Sequence, residues 1–262
     1  MRRSRNRLRR TNDLTRMNPN TLSPTASAQA VEFVNSVLQL QLQVVVFDCD
    51  GTLWSGDAGE GFFDWELQQN LLSDDVAHWA RPRYATYKSG KVTEEQMCGE
   101  MVTMHRGLTE AEVQRAADRY FEQHCISDIF PEMQVLVHLL QGAGCEVWAV
   151  SSTNEWVIRA GMRHFGIPEE KILAAAARIV DGKITDQLIR IPTGEGKSRA
   201  IHQAIRRAPD AAFGNSIWDA AMLGIARRPF VINPTPQLQK IASERRWPVY
   251  FPDSIRAEIR ND

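Results

Sequence analysis

The chain has 262 residues, of which 43% are hydrophobic and 24% are charged, and its formal net charge is −1. This length suits one large domain or a core with a smaller insert, and the composition is that of an ordinary globular protein. Residues 1–16 hold seven Arg and one Asp, which leaves 24 Lys+Arg against 31 Asp+Glu in the remainder. An acidic body argues against nucleic acid as the main partner, and the lack of a long apolar run argues against a membrane partner.

The N-terminal segment, residues 1–27, is predicted to be a disordered basic tail and linker. Its arginines could mark a transit peptide, a nucleic-acid arm or an overlong start ahead of Met17, but they lack the apolar segment of a secretory signal. Residues 17–27 are rich in Asn, Pro, Ser and Thr, which is typical of a linker. The cysteines have no metal-ligand spacing, which favours a reducing cytoplasm without structural disulfides: Cys49, Cys98, Cys125 and Cys145.

A helix over residues 28–40 is predicted to lead into a buried strand over residues 44–47. Two carboxylates, Asp48 and Asp50, follow where this strand must end, and both leave it on the same side because side chains alternate. Two like charges this close raise a pKa or recruit a cation. Such a turn could be a solvated loop, or it could be a Mg²⁺ and phosphoryl site where one Asp attacks phosphorus and the other moves a proton.

Residues 56–129 are predicted to be helical, without convincing strands. Helical spacing is present over residues 60–72, and Thr93 and Thr109 each stand three residues before a Gln or Glu, which is a helix-start signature. Because this stretch directly follows the carboxylates, we expect a small helical cap domain inserted after the first strand. Such a cap excludes water and selects substrate.

The rest of the chain alternates strands and helices. A β-hairpin is predicted over residues 177–188 around Asp181-Gly182. Together, residues 28–55 and 130–262 are predicted to form an α/β core domain with a Rossmann-like parallel sheet. The further predicted strands are residues 145–150, 211–213, 230–232 and 248–251.

Polar clusters follow three of these strands, and open parallel sheets bind ligands beyond the carboxyl ends of their strands. Lys197 begins a helix between the second and third cluster, where its ammonium and the backbone N–H groups can face an anion. Each cluster alone could be ordinary loop polarity or a helix cap, but their joint order predicts one site. The clusters are Asp48 and Asp50, Ser151 to Asn154, and Asn215 with Asp219.

The sequence resembles the haloacid dehalogenase superfamily, specifically its phosphoserine-phosphatase-like branch, whose fold is the α/β core with a cap. The resemblance covers residues 44–251. It is carried, in the family's order, by Asp48-Cys49-Asp50-Gly51-Thr52, Val147-Trp148-Ala149-Val150-Ser151, Lys197, and Gly214-Asn215-Ser216-Ile217-Trp218-Asp219.

The family's roles transfer to matching positions. The resemblance implies that Asp48 is the nucleophile that forms an aspartyl-phosphate, and that Asp50 protonates the leaving alkoxide and then activates water. It implies Mg²⁺ as the cofactor, held by Asp48, the Asp50 backbone carbonyl, Asn215 and Asp219. The residues that it assigns to the phosphoryl group are Gly51, Thr52, Ser151, Ser152 and Lys197.

One residue departs from the family pattern. The fourth motif commonly begins Gly-Asp, but here it begins Gly214-Asn215, which removes one negative charge from the metal site. We therefore expect a phosphatase that needs more Mg²⁺; the alternative is a catalytically weakened protein that binds a phosphorylated ligand. Asp50 favours phosphoryl chemistry over dehalogenation, because members that displace halide need no acid at that position.

The implied substrate is a small phosphorylated metabolite of phosphoserine or phosphocholine type. In this branch an acid shortly after the first motif faces the substrate's amino group, and Glu60 is the candidate. Arg81 and Arg83 could pair with a substrate carboxylate or could lie at the surface. The sequence does not give the oligomeric state. Four aromatic residues could cage a quaternary ammonium or could be core of the insert: Trp54, Phe62, Phe63 and Trp65.

Overall fold

The computed structural model of the chain describes residues 26–259, and a seven-stranded sheet runs through its centre. The strand order is β4-β3-β2-β1-β5-β6-β7, and every neighbouring pair is parallel except β3 with β4. The predicted α/β fold with a parallel sheet is therefore confirmed. The strands are β1 (Val44–Phe47), β2 (Glu146–Asn154), β3 (Ile172–Val180), β4 (Lys183–Arg190), β5 (Ala211–Gly214), β6 (Arg228–Ile232) and β7 (Val249–Tyr250).

Eleven α-helices surround this sheet within the described residues. They are α1 (Ala28–Leu38), α2 (Ala58–Gln68), α3 (Asp74–Lys88), α4 (Glu94–Thr103), α5 (Glu110–His124), α6 (Pro131–Gly142), α7 (Glu155–Arg163), α8 (Glu195–Ile205), α9 (Ala220–Ile225), α10 (Pro236–Arg245) and α11 (Asp253–Ile259). Helix α3 lies in the stretch that was predicted to be helical but was not predicted as a separate helix, and α11 was not predicted. In α3, Pro82 lies inside the helix, where proline normally argues for a break.

The central strand β1 positions the first carboxylate. All four of its residues are buried, and it pairs with β2 on one side and β5 on the other. The Asp48 backbone N–H donates to the Phe213 carbonyl oxygen at 2.9 Å, so the pairing with β5 continues one residue beyond the strand. The carboxyl ends of β2, β1 and β5 therefore bring their polar clusters to one edge of the sheet.

The insert between β1 and β2 holds helices α2 to α5 and shares a hydrophobic core with the sheet side of the molecule. Phe62 of α2 and Phe121 of α5 belong to the same buried cluster as Trp156 of α7 and Phe47 of β1. Helix α3 instead contributes to a small separate cluster with α2, which includes Phe63 and Ala80. The division into a core domain and a cap domain stays a prediction.

Backbone hydrogen bonds also fasten the insert to the β3–β4 hairpin. The Gly107 N–H donates to the Ile184 carbonyl at 2.9 Å, the Ile184 N–H donates to the Leu108 carbonyl at 2.9 Å, and the Glu110 N–H donates to the Gly182 carbonyl at 3.0 Å. The α4–α5 connection thus extends one end of the sheet. The hairpin itself matches its prediction, with Asp181 and Gly182 both at positive φ.

The predicted tail falls mostly on residues 1–25, which lie outside the described part of the chain. Ser27 caps α1 by accepting the Ala30 N–H at 3.1 Å, and its hydroxyl donates to Asp253 at 2.6 Å. Between residues 26 and 259, none of the helices has the length and apolar character needed to span a bilayer. The four cysteines are all free thiols.

Candidate active site

A buried ammonium group joins the first and last polar clusters. The Lys197 Nζ donates to Asp48 Oδ1 at 2.5 Å, to Asp219 Oδ1 at 2.6 Å and to the Val150 carbonyl oxygen at 3.0 Å. The lysine side chain is only 2% exposed. Burial alone would lower the pKa of Lys197, but the Asp219 and Asp48 carboxylates raise it above its usual value. Lys197 is therefore a fixed positive charge at the carboxyl ends of β1, β2 and β5.

The Asp48 carboxylate is held on both oxygens. Its Oδ1 accepts from Lys197, and its Oδ2 accepts the Thr52 hydroxyl at 3.0 Å. Burial raises the pKa of Asp48 to about 7, with repulsion from Asp219 adding to the shift and the Lys197 charge opposing it. The Lys197 charge therefore does not fully offset the cost of burying this carboxylate beside Asp219.

Asp50 points to a different set of donors. Its Oδ1 accepts the Trp54 indole N–H at 2.8 Å and the Ala58 backbone N–H at 2.7 Å, and its Oδ2 accepts the Thr153 hydroxyl at 2.7 Å. Burial raises the pKa of Asp50 to about 6, repulsion from Asp57 adds to it, and the three hydrogen bonds oppose it. A carboxyl with this pKa can both give and take a proton near neutral pH.

The third polar cluster, Asn215 with Asp219, folds tightly around the first. A Cβ placed on Gly51, which has φ +71°, would lie 1.8 Å from the Asn215 side-chain nitrogen. Only glycine fits at position 51 because Asn215 crosses it there. The Asp219 Oδ2 accepts the Asn215 and Ser216 backbone N–H groups, each at 2.9 Å. Asp219 therefore holds the loop that carries Asn215 while its other oxygen holds Lys197.

The oxygen atoms near this loop fit a hard divalent cation. Asp48 and Asn215 side chains and the Asp50 main chain offer oxygen ligands of the type that Mg²⁺ prefers. No cluster of three or more His, Cys, Asp or Glu side chains in metal-binding geometry occurs among the residues that the structure describes. Asp219 as a ligand stays a prediction, and both of its oxygens are engaged in hydrogen bonds.

A narrow cavity of about 40 Å³ lies between the insert and the end of β2, and one of its lining residues, Thr153, donates to Asp50. Glu60 and Ser152, both predicted site residues, line it, and Ser151 is buried one residue earlier with its hydroxyl accepting the Thr153 N–H at 3.1 Å. Three carboxylates and two phenols face this cleft, which makes it acidic and partly aromatic: Asp57, Glu60, Glu94, Tyr84 and Tyr87.

Sequence reasoning missed most of the cleft. Tyr84 and Tyr87 lie on α3, which was not predicted as a separate helix, and Asp57 was not singled out, whereas Thr153 belongs to the predicted cluster Ser151 to Asn154. The structure shows the proposed aromatic cage to be core: Trp54 and Phe62 are fully buried, Phe63 is 2% exposed, and Trp65 stacks on Phe62 with ring centroids 6.0 Å apart.

Of the two arginines that could have paired with a substrate carboxylate, one is paired with an acid of the protein and the other is exposed. The Arg83 guanidinium donates to both Glu100 oxygens, each at 2.7 Å, and Arg81 is exposed and does not line the cleft. None of the cleft-lining side chains in the described residues is an arginine or a lysine. Lys88 reaches Glu60 from the exposed side, at 2.9 Å.

Comparison with known proteins identifies the class. Residues 45–224 match the family described as haloacid dehalogenase-like hydrolase. Because this match covers more than half of the chain, the chain belongs to that family. The prediction of a phosphoric monoester hydrolase is confirmed at this level.

Two similar proteins carry phosphatase names. The chain is 24% identical over 217 residues to a histidinol-phosphatase from Neisseria meningitidis serogroup C (strain 8013), which covers 79% of this chain and 97% of that protein. It is 29% identical over 175 residues to a probable phosphatase of Mycobacterium tuberculosis (strain ATCC 25618 / H37Rv), which covers 63% of this chain and 60% of that protein. The chain thus spans less than two thirds of the second relative.

Solved structures share the fold. A protein of unknown function from Bordetella pertussis Tohama I gives a TM-score of 0.70 at 23% identity, over 79% of this chain and 97% of that chain. A phosphoserine phosphohydrolase-like protein from Francisella tularensis subsp. tularensis SCHU S4 gives 0.55 at 16% identity, over 83% of this chain and 99% of that chain. At these identities the likeness concerns the fold alone.

Proposed function

We propose that this phosphatase uses Mg²⁺ to hydrolyse a small phosphomonoester whose alcohol carries a positive charge and no carboxylate. The observation that carries the proposal is the buried Asp48–Lys197–Asp219 arrangement beside a separately held Asp50. It combines a nucleophile, a fixed positive charge for phosphoryl oxygens and a proton-transfer group within one edge of the sheet. The acidic cleft next to Asp50 supports the proposed substrate class.

Asp48 is the nucleophile in this proposal. One of its oxygens attacks phosphorus, the P–O bond to the alcohol breaks, and an aspartyl-phosphate remains on the enzyme. The Lys197 ammonium, 2.5 Å from Asp48 Oδ1, stabilises negative charge on the transferring phosphoryl oxygens. The Thr52 hydroxyl and the Gly51 loop orient the carboxylate and line the phosphoryl side. Ser151, near the end of β2, is proposed to bind the phosphoryl group with them.

Asp50 moves the proton in both halves of the reaction. In its protonated form it donates to the leaving alkoxide, and the resulting carboxylate then takes a proton from the water that attacks the aspartyl-phosphate. Attack of this water on the aspartyl-phosphate regenerates the Asp48 carboxylate and releases phosphate. Trp54, Ala58 and Thr153 fix the Asp50 carboxyl by three hydrogen bonds, and Thr153 also lines the cleft where we propose that the alcohol binds.

The magnesium ion would be held by Asp48, the Asp50 main-chain oxygen and Asn215. When bound, it neutralises negative charge on the phosphoryl group and on Asp48. Asn215 supplies a neutral oxygen where the family commonly has a carboxylate, so we expect weaker metal binding. Asp219 acts by holding Lys197 and the Asn215 loop.

We infer the alcohol from the charge of the cleft, which must widen to hold it because its volume in this structure is about 40 Å³. Asp57, Glu60 and Glu94 place negative charge there, and Tyr84 and Tyr87 add phenol faces, which together attract an ammonium or a similar cation. A carboxylate on the substrate would meet these acids without a cleft-lining cation to pair with. This favours amino alcohol phosphates such as phosphocholine, phosphoethanolamine and histidinol phosphate over phosphoserine, and one relative is named for histidinol phosphate.

The experiment compares these substrates in millimolar Mg²⁺ by phosphate release. We expect kcat/KM for the best amino alcohol phosphate to exceed that for phosphoserine at least tenfold. Asp48→Asn should abolish turnover of every substrate, p-nitrophenyl phosphate included, with an unchanged circular dichroism spectrum. Retained turnover in Asp48→Asn would remove Asp48 from the nucleophile's role, and a preference for phosphoserine would contradict the substrate class.

A matched pair of variants tests the cleft. Glu60→Gln should raise KM for the amino alcohol phosphate with little effect on p-nitrophenyl phosphate, because only the first substrate carries the cation. Glu95→Gln, an exposed acid on α4 outside the cleft, should change neither. Equal effects of Glu60→Gln on both substrates would mean that Glu60 acts on the fold or the chemistry instead of the alcohol.

The second candidate function is a non-catalytic protein that binds a phosphorylated ligand. Asn215 is the observation that favours it, since it lowers the charge of the metal site. Absence of turnover at any millimolar Mg²⁺ concentration, together with retained phosphate binding, would favour this candidate. A cytoplasmic location is proposed on the four free thiols and on the small phosphorylated substrate.

A further inference from the structure

A second cavity lies at the amino ends of the central strands, whereas Asp48 lies at their carboxyl ends. It has a volume of about 600 Å³ and is lined by the 40–43 segment, which leads into β1, and by residues that border the start of β5 and β6. Ligand pockets for small molecules have volumes of about 300–1,000 Å³. The cavity is therefore large enough for a small organic molecule. The phosphatase chemistry described above does not use it.

The charge of this cavity is positive. Arg207, Arg227 and Arg228 line it together with one acid, Asp210. The Asp210 Oδ2 accepts the Gln43 and Val44 backbone N–H groups, each at 3.0 Å, and it also accepts the Arg207 guanidinium at 3.0 Å.

The same acid also pairs with Arg227, at 3.5 Å from its Oδ1. Asp210 is thus fully engaged, and these contacts use only one or two of the five N–H donors of each arginine. The Arg227 side chain is 75% exposed, so its remaining donors are accessible. Guanidinium groups with free donors recognise phosphate oxygens in pairs.

The lining also offers contacts for an organic group. Leu40 and Leu42 are half-buried on the same segment as Gln41 and Gln43, whose amides can donate and accept hydrogen bonds. An inorganic anion would use the arginines alone. The combination of guanidinium groups, amides and apolar carbons in one concave space matches a molecule with a phosphate at one end and a neutral polar body.

We propose that this cavity binds a small organic phosphate, with its phosphoryl group on Arg227 and Arg228. The site is separate from the active site, because the four residues of β1 stand between them, a separation of roughly 13 Å. Binding there leaves Asp48 and Lys197 free. Asp210 connects the site to the start of β1 through its bonds to Gln43 and Val44.

The test measures binding of AMP to the full-length Asp48→Asn protein by isothermal titration calorimetry, at low salt and in the presence of EDTA. We expect AMP to bind, and to bind at least tenfold more tightly than inorganic phosphate. Adding Arg227→Ala and Arg228→Ala should weaken AMP binding by roughly tenfold or more, since charge-assisted hydrogen bonds to phosphate are lost. Adding Arg115→Ala and Arg178→Ala, which remove two exposed arginines elsewhere, should not.

Several results would overturn the proposal. AMP binding that is absent, or unchanged in the Arg227→Ala/Arg228→Ala protein, would place no ligand in this cavity. If the Arg115→Ala/Arg178→Ala control weakened AMP binding equally, the effect would come from the overall charge of the protein and not from this cavity. If inorganic phosphate bound as tightly as AMP, the cavity would not recognise the organic group, and the proposal would be wrong. Circular dichroism checks that each variant is folded. Arg227→Lys, which keeps the charge, should retain more affinity for AMP than Arg227→Ala.

The outcome does not depend on the proposed catalytic function. In the otherwise wild-type protein, Arg227→Ala with Arg228→Ala should leave p-nitrophenyl phosphate turnover unchanged, because both residues lie outside the active site. Loss of turnover in Asp48→Asn tests the nucleophile, whereas loss of AMP binding in the arginine variant tests the cavity.

Discussion

Replacing Lys197 by methionine is the perturbation that tests the centre of the site. Methionine has a similar length but lacks the charge that stands between Asp48 and Asp219. The lysine side chain is 2% exposed, that of Asp48 is 8% exposed and that of Asp219 is fully buried. In the Lys197→Met protein, two carboxylates therefore remain buried beside each other without their cation.

The expected loss of stability is large. Removing one partner of a buried ion pair costs about 3–5 kcal/mol, because the other charge is left uncompensated. Globular domains unfold with a free energy of roughly 5–15 kcal/mol, so the variant should lose a sizeable fraction of its stability. The same change corresponds to a fall in Tm of roughly 10 °C for a chain of this size.

Urea denaturation at neutral pH in EDTA, followed by tryptophan fluorescence, measures this free energy of unfolding without a metal ion. The control is Lys88→Met, which removes a lysine whose side chain is 54% exposed. It should change the free energy of unfolding little, because surface ion pairs of this kind contribute about 1 kcal/mol or less. Adding Asp219→Asn to Lys197→Met should restore part of the loss, because it removes one of the two unpaired charges.

A Lys197→Met protein within about 1 kcal/mol of the wild type would refute this account. It would mean that the carboxylates reach solvent or other cations, so that Lys197 is not the charge that the buried site depends on. Failure of Asp219→Asn to restore any stability would likewise separate Asp219 from the ion pair. Under the proposed mechanism, turnover of p-nitrophenyl phosphate should fall in the Lys197→Met protein whether or not its stability falls.

Three further predictions follow from single contacts. Burial raises the pKa of Glu66 although His105 opposes the shift, and the pKa of His105 is raised because Glu66, 2.6 Å away, outweighs burial. Since both are raised, stability should decline as pH rises above the ordinary pKa of each group, 4.5 for Glu66 and 6.5 for His105; urea titrations of His105→Gln should show a flatter pH dependence, and an equal slope would contradict the prediction. Gly51→Ala should lower p-nitrophenyl phosphate turnover about 100-fold by displacing Asn215, whereas Gly56→Ala, at φ +78° with no atom within 4 Å, should keep turnover; equal losses would point to backbone strain alone. Asn215→Asp should lower the Mg²⁺ concentration for half-maximal turnover by restoring a charge, and an unchanged metal titration would exclude Asn215 from the metal site.

The meeting of Asp48, Lys197 and Asp219, where we propose that the phosphoryl group binds, could be predicted from the sequence because its signals are local. Strand β1 is a short apolar run, and Asp48 and Asp50 follow it directly, so alternation of side chains and the end of the strand could be inferred without any tertiary contact. The order of Lys197 and Asp219 along the chain then placed both at the same sheet edge. The structure brings these side chains within hydrogen-bond distance.

The cleft could not be predicted in the same way, because its chemistry depends on which distant partner each side chain finds. Arg83 pairs with Glu100, 17 residues later, and Trp54 turns its indole N–H to Asp50. Tyr84 and Tyr87 face the cleft only because α3 continues through Pro82. None of these choices follows from local spacing.

The hydrogen bonds between the 107–110 segment and the β3–β4 hairpin restrict how substrate can enter. An insert fastened there by three main-chain bonds, and again by the Arg159–Glu110 ion pair at 2.7 Å, is not free to swing open as one body. Helix α3 is held to its neighbours by side-chain ion pairs, Arg83–Glu100 and Lys88–Glu60, and packs in a small apolar cluster with α2. We therefore expect admission of the alcohol and escape of the product to require local opening of α3 alone, which would make the turnover rate sensitive to how firmly that single helix is packed.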